Sequence, residues 1–442
     1  MFTGTPTNNG QKQEAKYAVE SVHSGCGRCG MTREGGVVWT GPKGGADRPF
    51  DDVWRELEAR HAWKIQVTAY DNPAPAVSRM PYLWSDYDNR HAVAFRERYH
   101  LEELLEGSED DWEAVLRLRH WVFNNMVNHT NASLPGLEPF STIDPFALLS
   151  ACRVGGTFWC SHFAMVFVAA ATSMGFVARK LSVDCEHTAD EKGCHHGVVD
   201  VWVSKFRKWV HLDPNYDHHM EHRGVPLSTE EIGQRWQRHR GEGVQPVVGP
   251  QRRPVPRVRR GKPGEPEACA CFWHLIECRN DVFRRDGRGS KSMSVLLVDE
   301  ARKAQRWTQG TPPNTFEKRG YADGTLLITE DPADAYPDAD ASWMDLLPPH
   351  KMPYYCRVQL ATPFAPFFSH YQVSVDGGPP ERMEGIEYPW RLHPGACSIE
   401  VRTVDVAGRR GPAYGMRLDI SEDAAATPQW PRPAERREDA KA

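Results

Sequence analysis

A strongly apolar run extends from Phe163 to Met174, and its spacing has no polar face. Gly155-Gly156 interrupts the chain before it, the alanines of its middle favour helix, and Gly175 supplies a stop. The pattern predicts a helix with Cys160 in its first turn, and a helix apolar nearly all round is a buried one. Next come two β-branched segments, His195 to Val203 and Trp209 to Asp213, the second ended by Pro214. Ser204 to Lys208 is too short for a crossover, so the two predict an antiparallel hairpin. Side chains alternate along strands, so the expected register puts His196 opposite Asp213 and Asp200 opposite Trp209, with a turn at Val203 to Phe206. A slip of one residue would part His196 from Asp213, and a slide bringing Asp213 opposite Asp200 would oppose two carboxylates.

Upstream, Trp112, Val115, Leu116, Val122, Phe123 and Met126 recur at near-helical spacing after Asp110 and Asp111, which predicts an amphipathic helix with an acidic start. Downstream, Gln234 to Pro266 is rich in Arg, Pro and Gly and reads as an extended linker or surface loop. Ser294 to Val298 and Thr325 to Ile328 read as strands. Arg357 to Ala361, Tyr371 to Val375, Trp390 to Leu392 and Cys397 to Val404 are further short strands, with turns at Asp376-Gly377-Gly378 and Ala407-Gly408. From Ser421 the chain is rich in Pro, Ala and charge, and is expected to be disordered.

The chemistry follows from placement. A cysteine in the first turn of a helix meets free N–H groups and the positive end of the macrodipole, and both favour the thiolate, the form that attacks. A lone cysteine is more often a small buried hydrophobe. Here His196 and Asp213 supply a base and the acid that orients it, so Cys160, His196 and Asp213 are the candidate catalytic residues.

The stretches Gly-Gly-Thr-Phe-Trp-Cys160-Ser-His-Phe-Ala, Gly175-Phe-Val-Ala-Arg179, His196-x3-Asp-Val-Trp202 and Trp209-Val-His-Leu-Asp213-Pro214 resemble the core of the transglutaminase-like superfamily, as found in bacterial transglutaminase-like domain proteins. The resemblance implies an α+β papain-like fold with a buried nucleophile helix and an antiparallel sheet, a Cys-His-Asp triad, and a thioester intermediate. Water resolving that thioester gives a peptidase or amidase; an amine gives a transglutaminase. Gly197-Val198 and Asp200 depart from the family pattern, which often has a small then an aromatic residue after the histidine and a glutamate at the later position. The Cys160 N–H is one expected oxyanion donor, and the second is unassigned.

The expected organisation is an N-terminal extension (1–94), a catalytic core (95–235), a linker (236–268), an irregular β-rich region (269–350), an immunoglobulin-like β-sandwich (351–420) and a tail (421–442). The sandwich resembles modules that accompany bacterial enzymes acting on polymers, so it is expected to bind a polymer or protein partner or to act as a spacer.

A net charge of −5 gives no global reason to expect nucleic acid, and the basic run at Arg252 to Arg260 lacks interleaved aromatics. No segment approaches the ~18 apolar residues of a membrane span, and Met1 to Lys16 lacks the apolar core of a signal, so a cytoplasmic address is expected, with no membrane partner.

Eleven cysteines leave at least one unpaired. Cys26 and Cys29 have C-x-x-C spacing without a nearby second pair, and read as a surface loop. Cys185, His187, Cys194 and His195 read as a polar loop, with a disulfide or zinc as alternatives. His218 and His222 stand at i and i+4, but the cluster with Asp217 and His219 lacks the glutamate of a zinc hydrolase motif and reads as a solvated loop. No cofactor or metal is therefore expected. The function expected is acyl transfer or amide hydrolysis on protein or peptide substrates. The alternatives are a non-catalytic binding or scaffolding protein that keeps the fold, and, more weakly, a zinc hydrolase using the histidine-rich loops.

Overall fold

The computed structural model describes residues 30–31, 37–38, 48–128, 144–184, 196–255, 271–283, 293–304, 325–347 and 353–427. The chain divides into two units, Met1–Lys43 and Gly44–Ala442. In the first, the described residues are two short antiparallel strands, Gly30–Met31 and Val37–Val38. Everything below concerns the second unit.

Its elements, in chain order, begin with α1 (Asp51–His61), β1 (Trp63–Asp71), α2 (Arg90–Arg98), α3 (Asp111–Asn125), α4 (Pro145–Cys152) and α5 (Cys160–Ser173). The middle of the chain gives β2 (Ala178–Asp184), β3 (His196–Val203), β4 (Lys208–Leu212), β5 (His218–His222), α6 (Thr229–His239) and β6 (Gln245–Val248). Next are β7 (Trp273–Glu277), β8 (Met293–Leu297), β9 (Thr325–Thr329), β10 (Trp343–Leu347), β11 (Tyr355–Ala361) and β12 (Phe368–Val375). The last are β13 (Glu381–Met383), β14 (Glu387–Arg391), β15 (Gly395–Asp405) and β16 (Tyr414–Glu422).

The predicted helix around Cys160 is α5. It ends as its sequence dictates: Gly175 takes a left-handed φ of 77°, its N–H bonds Thr172 O at 2.9 Å, and Phe176 N–H bonds Ala171 O at 2.9 Å. This pairing caps the last carbonyls of the helix, and only a residue without Cβ adopts that φ cheaply. Phe163, Val166, Phe167 and Ala170 of α5 pack against Val199 and Val201 of β3, Val210 and Leu212 of β4, and Val115, Leu118 and Val122 of α3. The α3 helix starts where its acidic signal placed it, with Asp110 accepting from Glu113 N–H at 2.9 Å.

A six-stranded sheet carries α5, in the order β9-β8-β7-β2-β3-β4, antiparallel except for β8 and β9. Three of its strands come from 273–329, beyond the 95–235 expected for the core. Val198, Leu181, Ile276 and Val295 pack on the face away from α5, so the sheet is apolar on both sides. That explains why β3 reads as an almost unbroken apolar run.

The β3–β4 hairpin forms, but its register differs from the expected one by two residues: Asp200 lies opposite His211 and Trp202 opposite Trp209, around a turn in which Arg207 has a φ of 51°. His196 and Asp213 still share a face, diagonally rather than directly opposed. The reason lies outside the hairpin. Asp200 is fully buried, accepts from Thr229 Oγ1 at 2.7 Å and faces Arg179 Nη2 at 3.4 Å, and Arg179 stacks 3.9 Å over the Trp209 ring. The hairpin is set by the partners of a buried charge from β2 and α6.

The expected linker is also corrected in part. The helix α6 runs to His239, and Gln245–Val248 and Arg253–Pro254 join β5 and Val225–Pro226 in a four-stranded sheet. Residues 256–268 lie outside the described residues.

Two further sheets, β10-β11-β14 and β13-β12-β15-β16-β1, enclose a second core containing Trp54, Leu57, Val358, Val373, Trp390, Ile399 and Leu418. All four strands predicted between 357 and 404 are present. The edge strand β1 and the helix α1 come from the segment expected as an N-terminal extension, and β1 pairs with β16 from Trp63 to Asp71. The tail from 428 lies outside the described residues. Among those described, no helix is long and apolar enough to cross a membrane.

Truncating Arg179 leaves the buried Asp200 carboxylate without its counter-charge. Arg179→Ala is expected to lower stability by about 3–5 kcal/mol in urea unfolding, since breaking a buried pair costs far more than removing a surface one. A loss below about 1 kcal/mol would show that Thr229 alone satisfies Asp200.

Candidate active site

Cys160 is the first residue of α5, preceded by Trp159 in an extended conformation. The end of β3 crosses this helix start at very close range. A Cβ on Gly197 would lie 2.8 Å from Ser161 Cα and 2.9 Å from Ser161 N, so glycine is required there. The approach puts the Gly197 N–H on Cys160 Sγ, at 3.1 Å. His196, the preceding residue, is thereby fixed beside the sulfur.

His196 Nε2 and Asp213 Oδ2 are 2.7 Å apart. Since the carboxylate only accepts, Nε2 carries the proton and Nδ1 is left for Cys160. The other Asp213 oxygen, Oδ1, accepts from Asn215 N–H at 2.9 Å and Tyr216 N–H at 3.3 Å, a local turn closed by the side chain. The Tyr216 ring stacks on His196 with centroids 5.5 Å apart, and Asn128 Nδ2 donates to Asn215 Oδ1 at 2.7 Å. His218 Nε2 lies 3.6 Å from Asp213 Oδ2, so the acid stands between two imidazoles.

Electrostatics follow from these contacts. Burial pushes the Cys160 thiol up, but the hydrogen bond and charge of His196 and the Gly197 N–H outweigh it, and the thiol sits below its ordinary value. Burial opposes protonation of His196, yet Asp213 and Cys160 raise it well above the ordinary histidine value. Burial also disfavours the Asp213 anion, and His196 and His218 overcome this and hold it well below the carboxylate range. The combination favours thiolate and imidazolium over thiol and imidazole. Cys160 and His196 are partly accessible while Asp213 is buried, so the sulfur and the imidazole face out and the carboxylate faces in.

The structure thus brings together Cys160, His196 and Asp213, the three candidates from the sequence. Gly197, Asn215, Tyr216 and His218 were not singled out for this role. A glycine directly after the strand histidine was the one available signal, because a glycine inside a strand marks a close backbone approach.

The histidine-rich segment is neither a helix face nor a solvated loop. It is the strand β5, with His218 and His219 buried, and His219 lies between Arg119 at 2.7 Å and Glu221 at 2.8 Å. Asp217 accepts from Arg119 at 2.8 Å. Arg119, Asp217, His219 and Glu221 satisfy one another, and the extended rise of a strand sets His218 and His222, which helical spacing would have joined, about 13 Å apart. Arg179 and Trp202 are both buried. Cys26, Cys29, Cys185, His187, Cys194 and His195 lie outside the described residues. A cavity of about 910 Å³ occurs at the opposite end of α5, lined by Met174, Phe176, Arg207 and Arg409 among others, away from the sulfur.

Residues 99–214 match the model of the Transglutaminase-like superfamily, so this part of the chain is a transglutaminase-like domain. No curated protein sequence matches the chain. Among solved structures, it is similar to a candidate cysteine protease from Cytophaga hutchinsonii, with 14% identity over 35% of this chain and 49% of that one and a TM-score of 0.21. It is also similar to red sea bream transglutaminase, with 12% identity over 77% of this chain and 57% of that one and a TM-score of 0.22. The chain therefore spans about half the length of each.

Alkylation of Cys160 by iodoacetamide is expected to stay fast well below pH about 8.5, where a free thiol half-ionises. In His196→Gln burial acts without its opposing cation, so the rise should move up by about one pH unit or more. Coincident pH profiles would remove the ion pair. In Gly197→Ala the added methyl forces β3 off the helix start, and alkylation at neutral pH should fall about tenfold or more; an unchanged rate would mean that the N–H contact does not govern the thiolate.

Proposed function

We propose that the chain is a cysteine enzyme of acyl transfer or amide hydrolysis on protein or peptide substrates, with Cys160 as nucleophile, His196 as acid and base, and Asp213 as the residue that orients His196. The observation carrying this reading is the 2.7 Å contact of His196 Nε2 with a buried Asp213, on a histidine whose neighbour Gly197 donates to the Cys160 sulfur at 3.1 Å.

In this mechanism the thiolate of Cys160 attacks the carbonyl carbon and forms the C–S bond, while the carbonyl electron pair moves onto oxygen. The Cys160 N–H at the start of α5 is one donor to that oxyanion, aided by the helix dipole. The Gly197 N–H is directed at sulfur instead, and stabilises the leaving thiolate in the second half of the reaction. Collapse breaks the C–N bond, and His196 gives its Nδ1 proton to the departing amine. The thioester is then attacked by water or by a second amine, which His196 deprotonates. Asp213 stays ionised throughout, held by two backbone N–H groups and flanked by His218.

The two-sheet body built by β1 and β10–β16 is read as an immunoglobulin-like sandwich that spaces the catalytic domain or holds a polymer or protein partner. Its hold on the catalytic domain favours a fixed spacer: Arg409 donates to Met174 O at the end of α5, and Arg207 Nη2 contacts Asp71 Oδ2 at 2.9 Å.

A panel of amide donors with and without a primary amine, read by intact mass, tests the reading. The wild type should form a covalent acyl-enzyme that Cys160→Ala cannot, and Asp213→Asn should lose about 10²–10⁴ in kcat/KM with the fold retained. Equal turnover in wild type and Cys160→Ala would overturn it. Release of free acid in the presence of amine would assign hydrolysis; an amine adduct would assign transfer.

A further inference from the structure

Away from the transglutaminase-like domain, one end of the two-sheet body gathers three donors of different chemistry. Asp376 closes β12 with a left-handed φ of 53°, His393 lies between β14 and β15, and Cys397 is the third residue of β15. One donor atom from each, a carboxylate oxygen, a ring nitrogen and the sulfur, lie within 4.8 Å of one another.

We propose that Asp376 Oδ2, His393 Nε2 and Cys397 Sγ form a binding site for a divalent transition metal, with zinc the ion whose preferences they match. Carboxylate, imidazole and thiolate are the three zinc ligands of proteins, whereas Mg²⁺ and Ca²⁺ take oxygen almost alone. Ligands about 2.0–2.3 Å from zinc stand roughly 3.3–3.8 Å apart around a tetrahedron, so the set closes with an adjustment of about 1 Å. The fourth position faces solvent, since His393 and Asp376 are exposed, and water fills it.

The surroundings of each donor support the assignment. Asp376 Oδ1 accepts from Ser398 N–H at 2.7 Å, which fixes the carboxylate and leaves Oδ2 turned to His393. His393 Nδ1 is 2.9 Å from Pro394 O, and a carbonyl only accepts, so Nδ1 carries a proton. The ring's other nitrogen, Nε2, faces Asp376 Oδ2 at 3.1 Å. In neutral imidazole both atoms of that contact are acceptors, so the approach calls for a positive charge, supplied by a proton or by a metal that both ligate. Cys397 Sγ accepts from His393 N–H at 3.4 Å, a bond that suits a thiolate. Sγ is also 3.2 Å from His393 O, the partner of a neutral thiol, so the two states of the site make different demands on this sulfur. A ligand whose second atom is tied to backbone is the usual construction of a protein metal site. The bound ion would cross-link the turn after β12 to the connection between β14 and β15, and so lock the end of the second core.

The test compares full-length wild type with His393→Gln, Cys397→Ser and a Cys26→Ser/Cys29→Ser control, each reconstituted with zinc, desalted and analysed for metal per chain. Wild type and the control should keep one equivalent more than His393→Gln and Cys397→Ser. Cobalt in place of zinc should give a thiolate-to-metal charge-transfer band that Cys397→Ser lacks. With zinc at a hundredfold excess over its Kd, the folding equilibrium of the wild type should shift about a hundredfold toward the folded state. Equal metal content in wild type and a folded His393→Gln, an exposed position whose replacement leaves the core intact, would overturn the proposal in favour of a metal-free His393–Asp376 ion pair.

Discussion

The backbone of β3 meets the first turn of α5 with only the hydrogen of Gly197 between them, and the arrangement of Cys160, His196 and Asp213 depends on that contact. The approach is possible because both partners are held from behind. The helix is packed through Phe163, Val166 and Phe167 into the main core, and β3 is an interior strand with apolar residues on both faces. Neither can recede without opening a cavity, which close-packed interiors resist. The sulfur, the Gly197 N–H and the His196 ring are therefore placed by the rigid parts of the fold, the condition under which a small displacement matters most for chemistry.

Charge is organised around the same contact. Asp213 is deeply buried, and an isolated carboxylate there would take up a proton. It stays ionised because two N–H groups and two imidazoles surround it, and the cost of burying it returns as a raised proton affinity at His196. A few residues away Asp200 is buried with Arg179 and Thr229, and this second pair sets the hairpin register on which the first relies. The far end of α5 is held by Arg96 and Arg409, which donate to Ser173 O and Met174 O at the negative end of the helix dipole. The two-sheet body thus touches α5 directly, through Arg409.

Much of this was legible from local pattern. The helix at Cys160, its glycine stop, the acidic start of α3, the β3–β4 hairpin and the four strands between 355 and 405 all follow from spacing and turn residues, because each is decided by neighbours in sequence. The shared face of His196 and Asp213 was legible for the same reason, since alternation survives a two-residue slide. The slide itself was not, because it depends on Arg179 and Thr229. The histidines of β5 misled because i, i+4 spacing brings two side chains close only in a helix; the extended rise of a strand sets them about 13 Å apart.

What the sequence determined by itself is the inventory and its order: a thiol at a helix start, then an imidazole and a carboxylate on two strands of matching parity, since these rest on short-range conformational preference. What only the tertiary structure decided is who touches whom at long range. That includes the six-stranded sheet completed from 273–329, the strand 63–71 joining the strand 414–422, and His218 beside Asp213. Those contacts are selected by burying apolar surface and satisfying buried charge, and these forces act between residues whose separation along the chain carries no information about their distance in space.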